Sequence, residues 1–244
     1  MDSSNRESCQ ELTPAKRNTY FSSQLLTERD FKEEQSYYRG KEKQHNRYLH
    51  GSGVVCGLRV VPSASAKPGC VVVEPGLALD PWGREIVVPE SVQFELVEKR
   101  GPLFVVLEYR ECPADWVPMG TEPAEAGSEG RMSPSRICET YQLDFRREPP
   151  EVGDPISNRL CDLVAEAIRQ EMGAEELHAR LCELVSEPCR PCEPDPAVTL
   201  ARIDLPASGA ITAAHIDNWS HRHLALSADR LFQIVLGALD SRVR

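Results

Sequence analysis

Between residues 27 and 50 apolar and polar positions recur with the period of a helix. Phe31, Gln35, Tyr38, Glu42, His45 and Leu49 fall on one stripe, and half of that stripe is polar. Thr27 stands where an N-cap belongs, with Asp30 three residues on as an imperfect capping box, and Gly51 and Gly53 supply the stop. Roughly 22 helical residues span about 33 Å. So mixed a stripe cannot hold the helix by a private core. The pattern therefore predicts a helix that bridges elements, pairs with another subunit or lies half exposed. Gly40 in its middle costs about 1 kcal/mol relative to Ala and predicts a close contact or a kink.

After residue 53 the period drops to two. Residues 54–61 predict a strand and 69–73 another, while 77–79 and 84–88 around Asp80-Pro81-Trp82-Gly83 predict a hairpin. The nearly continuous apolar run 103–109 predicts a central strand, and 137–145, with Ile137, Glu139, Tyr141, Leu143 and Phe145 on one side, its antiparallel partner. Between them, 113–135 is rich in Pro, Gly and Glu and predicts an exposed insertion. Asp154-Pro155 then opens a helix in the favoured order, with Leu160, Leu163, Val164, Ala167 and Ile168 as its stripe and Gly173 as its end. A second helix carries Leu177, Leu181, Leu184 and Val185; strands follow at 198–205 and 210–216, and a last helix runs from the cap Ser227 through Leu231, Phe232, Val235 and Leu239.

The expected fold class is thus α+β: a long N-terminal helix, a compact antiparallel β-sandwich or rolled sheet, then a helical segment with two further strands and a C-terminal helix. The expected division is a flexible arm at 1–19, the long helix at 20–52, a β domain at 53–148 with its insertion at 113–135, and an α+β region at 149–244.

Composition narrows the function classes. With 41% hydrophobic and 27% charged residues in 244, the chain can bury a real core. A net charge of −10 argues against a protein built to grip phosphate backbones. No apolar run approaches the ~20 residues of a membrane span, and the polar start MDSSNRESCQ lacks the core of a signal peptide. The expectation is a cytoplasmic chain with neither nucleic acid nor membrane as partner. Nine cysteines is an odd number, so a complete set of bridges leaves one thiol over; reduced thiols or metal ligands are favoured over disulfides.

Candidate chemistry is sparse. The phosphate-cradling loop, the nucleophile elbow and the H-E-x-x-H helix are all missing, and the chain is expected not to be an enzyme. Glu108 and Glu111, three apart in a strand, project to opposite faces and make a poor acid/base pair. His178, Cys182, Cys189 and Cys192 have the spacing of a tetrahedral zinc site: one helical turn, then a C-x-x-C knuckle braced by prolines. The competing reading is that Cys182 is a small core residue and the knuckle a chance pair. No cofactor is expected beyond that structural zinc. Cys112 and Cys138 flank the insertion and can face each other across the ladder, although two unpaired thiols are the default in a reducing cell. His215, His221 and His223 near Asp217 are a weaker metal candidate, and solvated loop histidines are the plainer reading.

From residue 15 to 50 there are eight Lys/Arg against five Asp/Glu, a net +3, interleaved with Tyr37, Tyr38 and Tyr48. Basic residues among aromatics can contact nucleic acid, but the charge of the whole chain favours an acidic protein partner or the acidic body of a second copy.

The run Tyr20-Phe21-Ser22-Ser23-Gln24-Leu25-Leu26-Thr27-Glu28-Arg29-Asp30-Phe31, followed by Glu34-Gln35, Tyr38, His45-Asn46-Arg47, Leu49-His50-Gly51 and Gly53-Val54-Val55-Cys56-Gly57-Leu58, resembles a bacterial family associated with phage-tail-like contractile injection particles. Pro75-Gly76-Leu77-Ala78-Leu79-Asp80 with Gly83-Arg84-Glu85-Ile86 fits the same family and is similar to β domains of phage baseplate and tail-fibre attachment proteins. The resemblance covers residues 20–110 well and later segments loosely. It implies a structural or adaptor role among other subunits of a tail-like particle, as a homo-oligomer, with no enzymatic activity. Leu25, Phe31, Tyr38 and Leu49 are then the candidate interface anchors, ringed by Arg29, Arg39 and Arg47. Each of them has contact with the chain's own β body as its alternative. The competing functions are a free-standing zinc-supported interaction module and, less favoured, a glycan-acting tail enzyme.

Overall fold

The computed structural model describes residues 14–64, 69–96, 101–118, 132–150, 156–188, 195–206 and 210–225. Helix α1 spans Glu28–His45 and passes directly into a π-helical turn, Asn46–His50. Ten strands follow: β1 (Gly53–Gly57), β2 (Val60–Pro62), β3 (Cys70–Val73), β4 (Gly76–Leu79), β5 (Glu85–Val88), β6 (Val92–Glu95), β7 (Pro102–Pro118), β8 (Met132–Arg146), β9 (Val198–Asp204) and β10 (Ile216–Asp217). Helices α2 (Ile156–Arg169) and α3 (Ala174–Val185) stand between β8 and β9. The α+β arrangement expected from the pattern is the one observed; the C-terminal helix expected from Ser227 lies outside the described residues.

The strands form three antiparallel sheets, ordered β1-β4-β5, β2-β3-β6 and β10-β9-β7-β8. One core joins them, with Val54, Leu58, Val60, Val71, Val73, Ile86, Val88, Leu103, Val105, Leu107, Leu200 and Ile203 all buried. Each such fully buried aliphatic side chain contributes about 1.5–3 kcal/mol. β7 is central because both its faces are covered: Leu103, Val105 and Leu107 enter this core, while Phe104 and Val106 pack with Ala197 on the other side. That double burial is why its sequence reads as a continuous apolar run.

The structure departs from the sequence pattern at four places. The strand expected over 54–61 is two strands in different sheets, divided at Leu58, which has φ +55 and is fully buried. The 113–135 segment, expected to be a loop, begins and ends as ladder: residues 113–118 pair with 132–137 as an extension of β7 and β8. Residues 210–216, expected to be a strand, instead hold a single 3-10 turn, Ala213–His215, with Ile216 opening the two-residue β10. β6 was not expected, being short and half polar.

The segment 216–225 ties β1 and β2 together. The Asn218 side chain accepts from the Val60 N–H at 2.9 Å and donates to the Val60 carbonyl at 3.0 Å, standing in for a neighbouring strand. Arg222 donates to the carbonyls of Gly57 and Leu58, across the left-handed residue that divides the strands. Burial pulls the pKa of Arg222 down, and its bonds to those carbonyls satisfy a guanidinium held half out of water.

Candidate interaction surface

α1 starts as its sequence dictates. The Thr27 N–H donates to Asp30 Oδ2 at 2.8 Å and the Thr27 hydroxyl to the same oxygen at 2.6 Å, closing the expected capping box. These bonds hold the Asp30 carboxyl below the usual carboxylate range. Two i,i+4 ion pairs, Arg29–Glu33 and Lys32–Glu28, support the first turns on their exposed side.

No residue of α1 is buried. The helix is held to the body at its C-terminal half. Arg39 donates to Glu111 of β7 at 2.6 Å, and the Tyr109 hydroxyl donates to the same carboxylate at 2.8 Å. Burial and that carboxylate both push the Tyr109 pKa up, so the phenol remains a donor. The β4–β5 turn then meets the end of the helix. Gly83 there has φ +80, and a Cβ at this position would lie 2.1 Å from the Lys43 carbonyl oxygen, so only glycine admits the approach. Asn46, the first residue of the π turn and buried, donates its side-chain amide to the Gly83 carbonyl at 3.1 Å. The turn is braced from inside by Asp80, which is fully buried. It accepts from the N–H groups of Trp82 and Arg84 and from Arg84 Nε at 2.6 Å. Burial raises the Asp80 pKa, while Arg84 and the backbone donors oppose that rise. The Arg84 guanidinium in turn lies 4.6 Å from the ring centres of both Trp82 and Tyr109.

Residues 18–20 fold back along one side of the helix. Asn18 donates to the Asp30 carbonyl and Tyr20 to Glu34, each at 2.5 Å, and a cleft of about 340 Å³ opens there between Tyr20, Tyr37 and Tyr38. Tyr38, packed edge-on against Tyr37, borders this cleft, and the stripe that continues from it is exposed. Phe31, Gln35, Tyr38, Glu42, His45 and Leu49, the whole of the mixed stripe read from the sequence, are exposed. Phe31 is 54%, Tyr38 62% and Leu49 69% exposed. Among the candidate anchors, Leu25 is also exposed, ahead of the helix, and Arg29 points into solvent beside Glu33. Arg39 is engaged with Glu111 of its own chain, and the Arg47 guanidinium sits 5.0 Å from the centre of the Tyr48 ring. The structure thus brings Phe31, Tyr38 and Leu49 into one exposed stripe and commits Arg39 to the body.

The metal candidates are divided. His178 Nε2 and Cys182 Sγ lie 3.6 Å apart on the exposed side of α3, whereas Cys189 and Cys192 lie outside the described residues. Among the described residues no group of three or more His, Cys, Asp or Glu side chains is placed to hold a metal ion. The loop histidines serve separately: the His215 ring nitrogen Nδ1 caps the Thr212 N–H, and His221 meets the Phe104 ring edge-on. Glu108 and Glu111 engage different partners, Arg110 and Arg146 for the first, Arg39 and Tyr109 for the second, as residues on opposite faces must. No helix among the described residues is long and apolar enough to cross a membrane.

Asn46, Asp80, Gly83 and Arg84 were not singled out as site residues from the sequence. The sequence signal that marks three of them is local: Asp80, Gly83 and Arg84 belong to the predicted hairpin, whose turn the fold sets against the end of α1 at the Asn46–Gly83 contact. No family model matches the sequence, and no curated protein does. Among solved structures the chain is similar to the crystal structure of TssK, with 12% identity and a TM-score of 0.34, over 57% of this chain and 36% of that one. It is also similar to a chain of the baseplate complex from the type VI secretion system, with 14% identity and a TM-score of 0.32, over 55% and 49% of the two chains. The chain thus spans less than half the length of either.

Proposed function

We propose that this protein is a structural subunit or adaptor of a contractile, phage-tail-like injection particle, held to its neighbours through α1. The observation that carries the proposal is the exposed stripe. A helix of 18 residues with none buried has no core of its own, and its aromatic anchors at Phe31 and Tyr38 stand a double turn apart, as a partner helix or sheet face would need. The net positive charge of residues 15–50 suits an acidic neighbour, including the acidic body of a second copy, and the family resemblance of the same residues supports the particle as setting. Assembly then supplies the packing that the monomer lacks. The test is to purify tail-like particles from the source cells and quantify this chain in them. A fixed stoichiometry with sheath and tube subunits supports the proposal, and particles free of the chain overturn it.

A second reading, a zinc-supported interaction module, is favoured by one contact, the 3.6 Å approach of His178 Nε2 and Cys182 Sγ. One zinc ion per full-length chain, lost in Cys182→Ser, supports it. A chain purified with zinc present throughout that carries no stoichiometric metal removes it.

A further inference from the structure

We propose that Cys112 and Cys138 form a dithiol site that a peroxide closes into a cross-strand disulfide, locking the β7–β8 arm. The two residues are direct register partners in the antiparallel ladder, and both are exposed with free thiols. Directly opposed residues of such a ladder have Cα atoms about 4.5–5.5 Å apart, inside the range that a disulfide spans without backbone movement. The other cysteines described in strands lack such a partner: Cys56 faces Leu77 and Cys70 faces Glu95. On the same face the pair is flanked by Arg110 opposite Thr140 and Ala114 opposite Arg136, so no bulky apolar side chain covers it.

The position gives the bond a consequence. β9 pairs with β7 only as far as Leu107, and beyond that point the ladder partner of β7 is β8 alone. The result is a two-stranded ribbon, marginal by itself in water. Its outer part carries exposed Trp116, Val117, Met132 and Ile137. A bond between residues 112 and 138 fixes the register of everything beyond it and so fixes how those apolar residues are presented. The chemistry balances with hydrogen peroxide as oxidant. One thiol sulfur attacks a peroxide oxygen, giving a sulfenic acid and water; the second sulfur displaces that hydroxyl as a second water, forming the S–S bond. Two electrons pass from the pair of sulfurs to the peroxide.

The experiment treats dilute, reduced, full-length protein with limited hydrogen peroxide, quenches with catalase, alkylates, and maps peptides without reduction. The expected result is loss of two of the nine thiols, with the peptides of Cys112 and Cys138 recovered linked and lighter by two hydrogen atoms, independent of protein concentration. Backbone amides of the non-proline residues in 114–117 and 132–137 exchange with deuterium more slowly after closure. In Cys112→Ser the linked pair and the slowing are both lost. Recovery of Cys112 and Cys138 as separately alkylated peptides once exposed Cys56 and Cys182 have reacted overturns the proposal, as does linkage of either to another cysteine.

Discussion

Asn46 reaches across from the end of the N-terminal helix and donates its amide to the carbonyl of Gly83, thirty-seven residues away, in a buried contact of 3.1 Å. The α-helix gives way to a π turn at this residue. Single π turns are uncommon and occur frequently at functional sites. The contact joins two stretches far apart in the sequence at the point where α1 meets the β4–β5 turn of the β body.

Breaking that joint should loosen the helix before it unfolds the protein. Asn46→Ala leaves the Gly83 carbonyl without its donor and is expected to cost about 1–3 kcal/mol. Gly83→Ala meets both a left-handed backbone and the Lys43 carbonyl, and is expected to cost about 2 kcal/mol or more. Urea unfolding gives both values, and deuterium uptake along α1 should rise in each variant under conditions where the sheets remain protected.

The Asp80–Arg84 pair behaves as a buried ion pair, with Asp80 fully enclosed and Arg84 almost so. Asp80→Ala strands a guanidinium between the Trp82 and Tyr109 rings and is expected to cost about 3–5 kcal/mol. Adding Arg84→Met removes the stranded charge and should recover part of the loss. A double-mutant cycle measured by urea unfolding checks both, and an additive double variant would contradict the pairing.

Asp217 supplies a pH dependence with a definite sign. The Ser220 hydroxyl, with the backbone N–H groups of Ser220 and Trp219, stabilises its carboxylate and lowers its pKa to about 2 from an ordinary 3.8. A carboxylate depressed on folding stabilises the native state above its unfolded pKa, and that contribution is lost as pH falls from about 4 to 2. Asp217→Asn keeps the acceptor oxygen and removes the titration. The stability advantage of the natural chain over Asp217→Asn should therefore be full at pH 6 and shrink between pH 4 and pH 2; a constant difference would contradict it. Solvent screening at this nearly exposed turn keeps the effect small.

What the sequence made legible was local or strongly periodic. The Thr27–Asp30 box needs only three residues of chain, and the hairpin at Asp80–Gly83 is specified by its own turn residues. The β7–β8 ladder followed from two long runs in phase, which also placed Cys112 against Cys138. The misses share a different cause. Leu58 takes a left-handed conformation foreign to leucine because Arg222, more than a hundred and sixty residues on, clamps the carbonyls around it. No window of sequence contains that cause. Residues 113–118 read as loop because Pro113, Asp115 and Pro118 disfavour a strand interior, yet an exposed ribbon tolerates them where a central strand would not. On the candidate surface, the mixed stripe Phe31–Tyr38–Leu49 was legible as a face. Only the fold shows that, among the described residues, the chain's own body leaves it exposed.

The decisive measurement is assembly by a chain whose stripe has been charged. Phe31→Glu combined with Tyr38→Glu alters two exposed side chains, so the purified variant is expected to keep the thermal midpoint of the natural protein within a few degrees, as surface substitutions do. Expressed in source cells in place of the natural chain, it is expected to be absent from purified tail-like particles, or at least tenfold depleted, which corresponds to about 1.4 kcal/mol of lost association. Incorporation at the natural level, with the fold intact, would contradict the claim that this stripe is the seam through which the subunit is held.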